Sequence, residues 1–330
     1  MDFPVDFVIT WVNQNDQEWQ KKYNKYSQRN KDPESTIRYR DYGTLKYLFR
    51  SIQKYAPWVH HVYVVTDCQV PDFLKEDYEG VTIIDHKEII DADVLPTFNS
   101  NVIDLFLAKI PNLSEHFVYF NDDMFLNKAT NITDFFDDNG NARDILGLNV
   151  IMPTGIFDHT YVNNMAVIND AFKKKAFLKE NWRLLFNIKY GKWNFVSLLL
   201  MWIPRFSRFC DPHTPISFKK SQINDLNRRY PEIIENTKEN RFRSTSDFSI
   251  WIYRYYAMLM GKFAPRAIKF GQHYALNEYQ QIEKDILNGK HALININDAD
   301  NLTSDEYTTA ISSITLAFEK HLFEKSKYEK

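Results

Sequence analysis

One run limits the fold of this chain more than any other. The β-type apolar stretch Phe117-Val118-Tyr119-Phe120 stops on Asn121-Asp122-Asp123 and returns at once to apolar Met124-Phe125-Leu126. A buried strand that ends on adjacent acids presents hard oxygen ligands at the carboxyl edge of a sheet, where α/β proteins hold their ligands. A turn whose side chains satisfy the local backbone would use the same letters. Acids flanked on both sides by buried residues need more than a surface turn to explain them. The two readings stand level until the rest of the chain is read.

The surrounding segments alternate between strand and helix. Residues 5–12 read as a strand and 16–28 as a polar-faced helix, while Leu45, Leu48, Phe49 and Ile52 share one helical face that ends before Pro57. Val62–Thr66 and Val81–Asp85 are β-branched runs typical of buried parallel strands, and an amphipathic helix at 102–110 leads into the strand at Phe117. This order predicts a doubly wound, mostly parallel sheet. With only 9 glycines the chain has neither a Walker motif nor a Rossmann fingerprint, so any nucleotide is held by another device.

Composition narrows the function classes. With 330 residues, 44% hydrophobic and 25% charged, the chain can bury a sizeable core, which excludes a disordered or coiled-coil protein. A net charge of −2 creates no field that would recruit nucleic acid. Cys68 and Cys210 match no disulfide framework or zinc spacing, and no secretion signal opens the chain, so the expected location is the cytoplasm.

The longest apolar stretch, residues 193–204, is shorter than the ~20 residues a membrane span needs. Lys189, Lys192, Arg205 and Arg208 lie near it, and Trp193 and Trp202 stand near its ends. That composition suits a buried helix and a helix lying in a membrane interface almost equally. The core is the reading favoured here, with peripheral contact at the inner face of a membrane as the alternative.

Polar side chains recur where elements meet loops. Trp11 and Asn13 follow the first strand and offer a ring for a base and an amide for its edge or a phosphate. Arg40 could grip a diphosphate and Asp41 could cap the next helix. Asn99 and Ser100 open a helix whose free N–H groups suit an anion. His213 sits between Pro212 and Pro215 on a stiff loop, and Arg243 and Asp247 precede an aromatic helix at 248–260. Each has a plainer explanation: packing for Trp11, a surface pair for Arg40 and Asp41, an N-cap for Asn99 or Ser100, a structural histidine, and a charged cap at Arg243 and Asp247.

Taken in order, these blocks resemble the Stealth proteins. Those are sugar-phosphate transferases of bacterial capsule synthesis, related to the catalytic core of N-acetylglucosamine-1-phosphotransferase. The resemblance runs through Asp6-Phe7-Val8-Ile9-Thr10-Trp11-Val12-Asn13, Arg38-Tyr39-Arg40-Asp41, Tyr55-Ala56-Pro57-Trp58-Val59 and Val65-Thr66-Asp67-Cys68-Gln69-Val70-Pro71. It continues in Leu95-Pro96-Thr97-Phe98-Asn99-Ser100, Val118-Tyr119-Phe120-Asn121-Asp122-Asp123, the stretch from Pro212-His213 to Arg243 and Asp247, and weakly in Ile296-Asn297-Asp298 and Ser326-Lys327-Tyr328-Glu329. Cys68 stands where the family usually has Gly, Tyr42 where it often has Asn, Asn101 where His is frequent, and Ala299 where a second Asn is common.

The resemblance implies transfer of a hexose 1-phosphate, or N-acetylhexosamine 1-phosphate, from a UDP-sugar to a hydroxyl of an oligosaccharide or polysaccharide, with release of UMP. It implies a GT-A-like nucleotide-sugar core at 1–146 and 211–330. The helical insertion at 147–210 would cover the acceptor or touch a membrane. Asp122 and Asp123 would hold Mg²⁺ or Mn²⁺, or one would hold it while the other serves as base; His213 would move a proton and Arg243 would stabilise phosphoryl charge. Trp11, Asn13, Arg40, Asp41, Asn99, Ser100, Asn121 and Asp247 would line the donor or acceptor subsites. Two other readings compete: a metal-dependent glycosyltransferase that releases UDP, and a non-catalytic glycan-binding subunit.

Overall fold

The computed structural model describes residues 3–27, 39–299 and 302–330; Arg38, part of one block above, lies outside them. Four strands, β1 (Val5–Thr10), β2 (Val62–Thr66), β3 (Val81–Asp85) and β4 (His116–Asn121), pair in parallel in the order β3-β2-β1-β4. The strand Ile216–Lys219 closes the β4 edge in antiparallel sense. Every residue of β2 and nearly every residue of β1 is buried, as expected of strands covered on both faces. Even Asp6 is buried, where it accepts hydrogen bonds from Ser114 N at 2.7 Å and pairs with His60 Nδ1 at 2.8 Å.

Helices α1 (Gln17–Ser27), α2 (Leu45–Tyr55), α3 (His86–Ile89) and α4 (Ser100–Phe106) connect these strands. The predicted apolar stripe of α2, Leu45, Leu48, Phe49 and Ile52, is buried in one cluster with Phe7, Ile9 and Val64. On the other face of the sheet, Val8, Val65 and Phe117 pack with Val102, Leu105 and Phe106 of α4.

Beyond β4 the chain changes sheets. Strand β5 (Met124–Leu126) pairs antiparallel with Leu293–Asn297, which runs parallel to Gly271–Ala275. Asp122 and Asp123 are therefore the junction between two sheets, which explains why apolar residues resume so abruptly after them. The C-terminal segment is fastened back onto the core: Arg50 donates to both carboxylate oxygens of Glu329 at 2.8 Å, and Tyr328 packs on Phe49.

The segment 147–210 leaves and rejoins the core through a short antiparallel ladder between Leu148–Asn149 and Arg208–Phe209. It contains α5 (His159–Ala171), α6 (Lys174–Leu185) and α7 (Trp193–Leu200). Its apolar residues Met165, Ile168, Phe177 and Phe209 join the same cluster as Phe117 and Trp251. The buried Arg254 guanidinium ties its two flanks together, donating to Asp144 at 2.7 Å and to Asp211 at 2.6 Å.

The core placement expected for 193–204 does not hold. Of α7 only Ser197 is fully buried, while Phe195, Leu198 and Leu199, and beyond the helix Trp202 and Ile203, are exposed. The polar residue faces inward because its hydroxyl accepts the Leu148 N–H at 2.9 Å, a bond no leucine could supply. Among the described residues no helix is long and apolar enough to cross a membrane.

Candidate active site

A cleft of about 810 Å³ opens along the carboxyl edge of the parallel strands. Trp11, Arg40, Asp41, Ser100, Asn121, Asp122, Asp123, His213 and Arg243, residues spread over more than two thirds of the chain, all line it. The register brings two of its corners together by placing Thr10 beside Asn121.

The acids at the sheet junction are half-buried. The Asp123 carbonyl accepts the Ile296 N–H at 2.9 Å, which fixes the turn against the second sheet. Its side-chain Oδ1 is buried and meets no hydrogen-bond partner among the described residues. Loss of water raises the Asp123 carboxyl to about 7. Asp122 is raised well above the usual carboxylate range by loss of water and then by the charges of Asp123 and Asp41. Two carboxylates so disfavoured as anions suit a cation or a shared proton.

Among the described residues no three metal-ligating side chains converge. A pair of carboxylates is nevertheless the protein share of a Mg²⁺ or Mn²⁺ site that a diphosphate and water complete. The orphaned Asp123 oxygen fits that use.

Other lining residues carry positive charge. Arg40 lies 3.4 Å from Asp298 and over the Tyr307 ring, 4.8 Å from its centroid. Arg243 donates to Ser100 Oγ at 3.2 Å and covers the Phe157 ring. His213 has φ +50°, a conformation rare outside glycine, and its ring faces Trp251 and His273 at 5.7 and 5.0 Å. Loss of water, together with the charges of His273, Arg243 and Arg208, pushes the imidazole down to about 3. It is neutral at working pH, and the same burial and nearby charges make it a weak base until negative charge enters the cleft beside it.

Asp41 does not cap α2. Its carboxylate accepts the Gly43 N–H at 2.7 Å and the Trp11 indole N–H at 3.3 Å, so it sets a turn in which Gly43 has φ +67°. Helix α2 begins after Thr44 with no side-chain cap.

Three expected site residues sit outside the cleft lining. Asn13 accepts the Asn15 N–H and exchanges backbone bonds with the Gln69 amide. Asn99 caps α4 and donates to Asp247 at 2.8 Å; Asp247 also accepts from Asn101 Nδ2, Asn240 Nδ2 and Ser244 N. Buried together, Asn99 and Asp247 hold the 240–247 loop against the start of α4, and through it Arg243.

Other cleft residues escaped the sequence reading. Asp104 lines the cleft beneath Tyr119, whose hydroxyl lies 2.8 Å from Asp104 and also contacts Asn121. Burial raises Asp104 to about 7, with Tyr119 and Arg243 acting against the shift. An acid on the apolar face of α4, between Val102 and Leu105, was the available signal. The insertion supplies Thr154, Gly155, Phe157 and Asp158, and the second sheet supplies Asn297 and Asp298. Cys68 has φ +55°, which accounts physically for glycine being the family's usual choice there.

Paired acids at the edge of an α/β sheet, with guanidinium groups and a neutral imidazole lining the same cleft, suit an anionic ligand. Stealth conserved regions 1, 2 and 3 match residues 3–31, 38–144 and 212–259. The exopolysaccharide phosphotransferase cps2G of Lactiplantibacillus plantarum is 44% identical over 99% of this chain and 97% of its own length. The capsular polysaccharide phosphotransferase WcwK of Streptococcus pneumoniae is 36% identical over 99% of this chain and 98% of its own. The chain belongs to the Stealth family of phosphotransferases. Among solved structures, galactosyltransferase LgtC in complex with donor and acceptor sugar analogues aligns loosely, with a TM-score of 0.38 and 9% identity over 96% of this chain and 95% of that one.

Proposed function

We propose that the cleft transfers a sugar 1-phosphate from a UDP-sugar to a glycan hydroxyl, releasing UMP, in the synthesis of a capsule or other cell-surface polysaccharide in the cytoplasm. One observation carries the reading: Asp122 and Asp123, Arg40, His213 and Arg243 line a single cleft. That set supplies what phosphoryl transfer asks of a protein, namely charge neutralisation, positioning and a proton acceptor.

The acceptor oxygen forms its bond to the β-phosphorus of the donor, and the bond from that phosphorus to the bridging oxygen breaks. UMP leaves with the bridging oxygen, and the sugar 1-phosphate becomes a phosphodiester. Neutral His213 accepts the hydroxyl proton, with one aspartate of the pair as the alternative base. Arg243, anchored on Ser100, meets the charge on the transferring group, and Arg40 meets the diphosphate. Asp122 and Asp123 would hold Mg²⁺ or Mn²⁺, which when bound neutralises diphosphate charge. Trp11 offers a ring edge for the base. The acceptor enters beside Phe157 and Asp158 of the insertion.

The test is incubation of the purified chain with a panel of UDP-sugars and oligosaccharides. Formation of a sugar phosphodiester with one donor supports the proposal; donor binding without turnover across the panel contradicts it.

A further inference from the structure

The outer surface of the insertion is inside out for a protein in water. In α7, Ser197 faces the protein, while Phe195 is 64% exposed, Leu198 48% and Leu199 60%; two residues beyond the helix Trp202 is 81% exposed. Their spacing, i, i+3, i+4 and i+7, aligns them on one helical face. Ile188, 95% exposed, and Trp182 add to the bare apolar surface of the same insertion.

This ridge is firmly built. The buried Lys174 reaches under it and donates to Leu200 O and Ile203 O, each at 2.8 Å, which satisfies carbonyls at the end of α7 and in the turn after it. The Asn194 side-chain amide accepts the Asn187 N–H at 3.0 Å and donates to the Asn187 carbonyl at 2.7 Å, which fixes the entry to the helix.

Charge identifies what the ridge meets. Residues 173–208 contain nine Lys and Arg and a single acid, Glu180, in a chain whose net charge is −2. Lys175, Lys179, Arg183, Lys189, Lys192 and Arg205 are exposed. An apolar helix face with tryptophans, fringed by cations on flexible stems, is the composition of a helix lying in a bilayer interface. A second copy of this chain would oppose cation to cation across the same face.

We propose that α7 and its flanks, residues 182–205, form a docking surface for an anionic lipid bilayer. Phe195, Leu199 and Trp202 enter the boundary between headgroups and acyl chains, and Lys189, Lys192 and Arg205 meet lipid phosphates. The insertion also supplies Phe157 and Asp158 to the cleft wall, so docking fixes how the cleft is presented to the membrane.

The full chain is sedimented with vesicles of phosphatidylcholine alone and with vesicles of equal parts phosphatidylcholine and phosphatidylglycerol. Binding at least about tenfold tighter to the anionic vesicles, weakened by salt, is expected. F195E/L199E/W202E should abolish it, and K189E/K192E/R205E should remove the preference for phosphatidylglycerol. Both variants change exposed side chains, and their thermal transitions are measured beside the wild type. Absence of vesicle binding by the wild type, or binding unchanged in both folded variants, overturns the proposal. So does a wild-type dimer in light scattering that F195E/L199E/W202E converts to monomer, because the ridge then serves a second copy. The readout needs no turnover, so it stands apart from the assignment of the cleft.

Discussion

Asn99 donates to the Asp247 carboxylate at 2.8 Å although 148 positions separate them, and neither side chain lines the cleft. The pair fastens the loop that carries Arg243 to the helix start that carries Ser100. The pair is therefore expected to position Arg243. Asp247→Ala removes an acceptor shared by Asn99, Asn101, Asn240 and Ser244 N and strands the buried Asn101 amide, so it should lower stability by about 1–3 kcal/mol. It should also reduce kcat more than donor KM, because Arg243 acts on charge that develops during transfer. Steady-state kinetics on the folded variant check this split, with Asp247→Asn expected to retain part of the activity.

His213→Ala and Arg243→Ala should each cost about 10²–10⁴ in kcat with little effect on folding, the range for losing a proton acceptor or a charge-stabilising donor. Circular dichroism and single-turnover rates separate chemistry from unfolding. Near-normal turnover in either variant removes that residue from the mechanism.

Chelation should silence the enzyme and Mg²⁺ or Mn²⁺ should restore it. Asp122→Asn and Asp123→Asn should raise the cation concentration needed for half-maximal rate, each by at least about tenfold, because each removes an anionic oxygen ligand. A cation titration of the two variants beside the wild type checks this.

Much of the fold was legible in the sequence because its signals are local. The bounds of α2, β2 and β3 agree with the ranges read from periodicity and β-branching. The strand before Asp122 was equally plain. What failed was the apolar segment at 193–204, since local composition is the same whether a helix face is covered by protein or left bare; only Ser197, which answers the backbone of Leu148, reveals the orientation. Of the candidate site, the residues gathered by family blocks reached the cleft in most cases, yet Asn99 and Asp247 proved to bond to each other. Asp104, Asp144, Asp211 and Arg254 form their contacts over long sequence separations, and no local pattern reports such partners.

Burial of His86 makes stability depend on pH. The ring is buried, its Nδ1 has no partner among the described residues, and loss of water lowers it to about 4. Below its ordinary value near ~6.5 the unfolded chain takes a proton that the folded chain refuses, so stability falls as pH drops from 6.5 toward 4. The loss from this residue at pH 5 should be about 2 kcal/mol relative to pH 8. Urea titrations across that window should show the loss reduced in His86→Phe.

Arg254 joins Asp144 and Asp211 across the mouth of the insertion. Arg254→Met should destabilise the chain by about 3–5 kcal/mol, because two buried carboxylates lose their cation. Restoring balance with Asp144→Asn in the same chain should recover part of the loss, which equilibrium unfolding of the single and double variants measures.

The central claim is that phosphorus, not the anomeric carbon, is attacked. ³¹P NMR of a reaction with the active UDP-sugar measures this directly, with the nucleotide product separated by chromatography. The account predicts a phosphodiester resonance in the glycan growing in step with UMP. Release of UDP with a phosphate-free glycosidic product would contradict it.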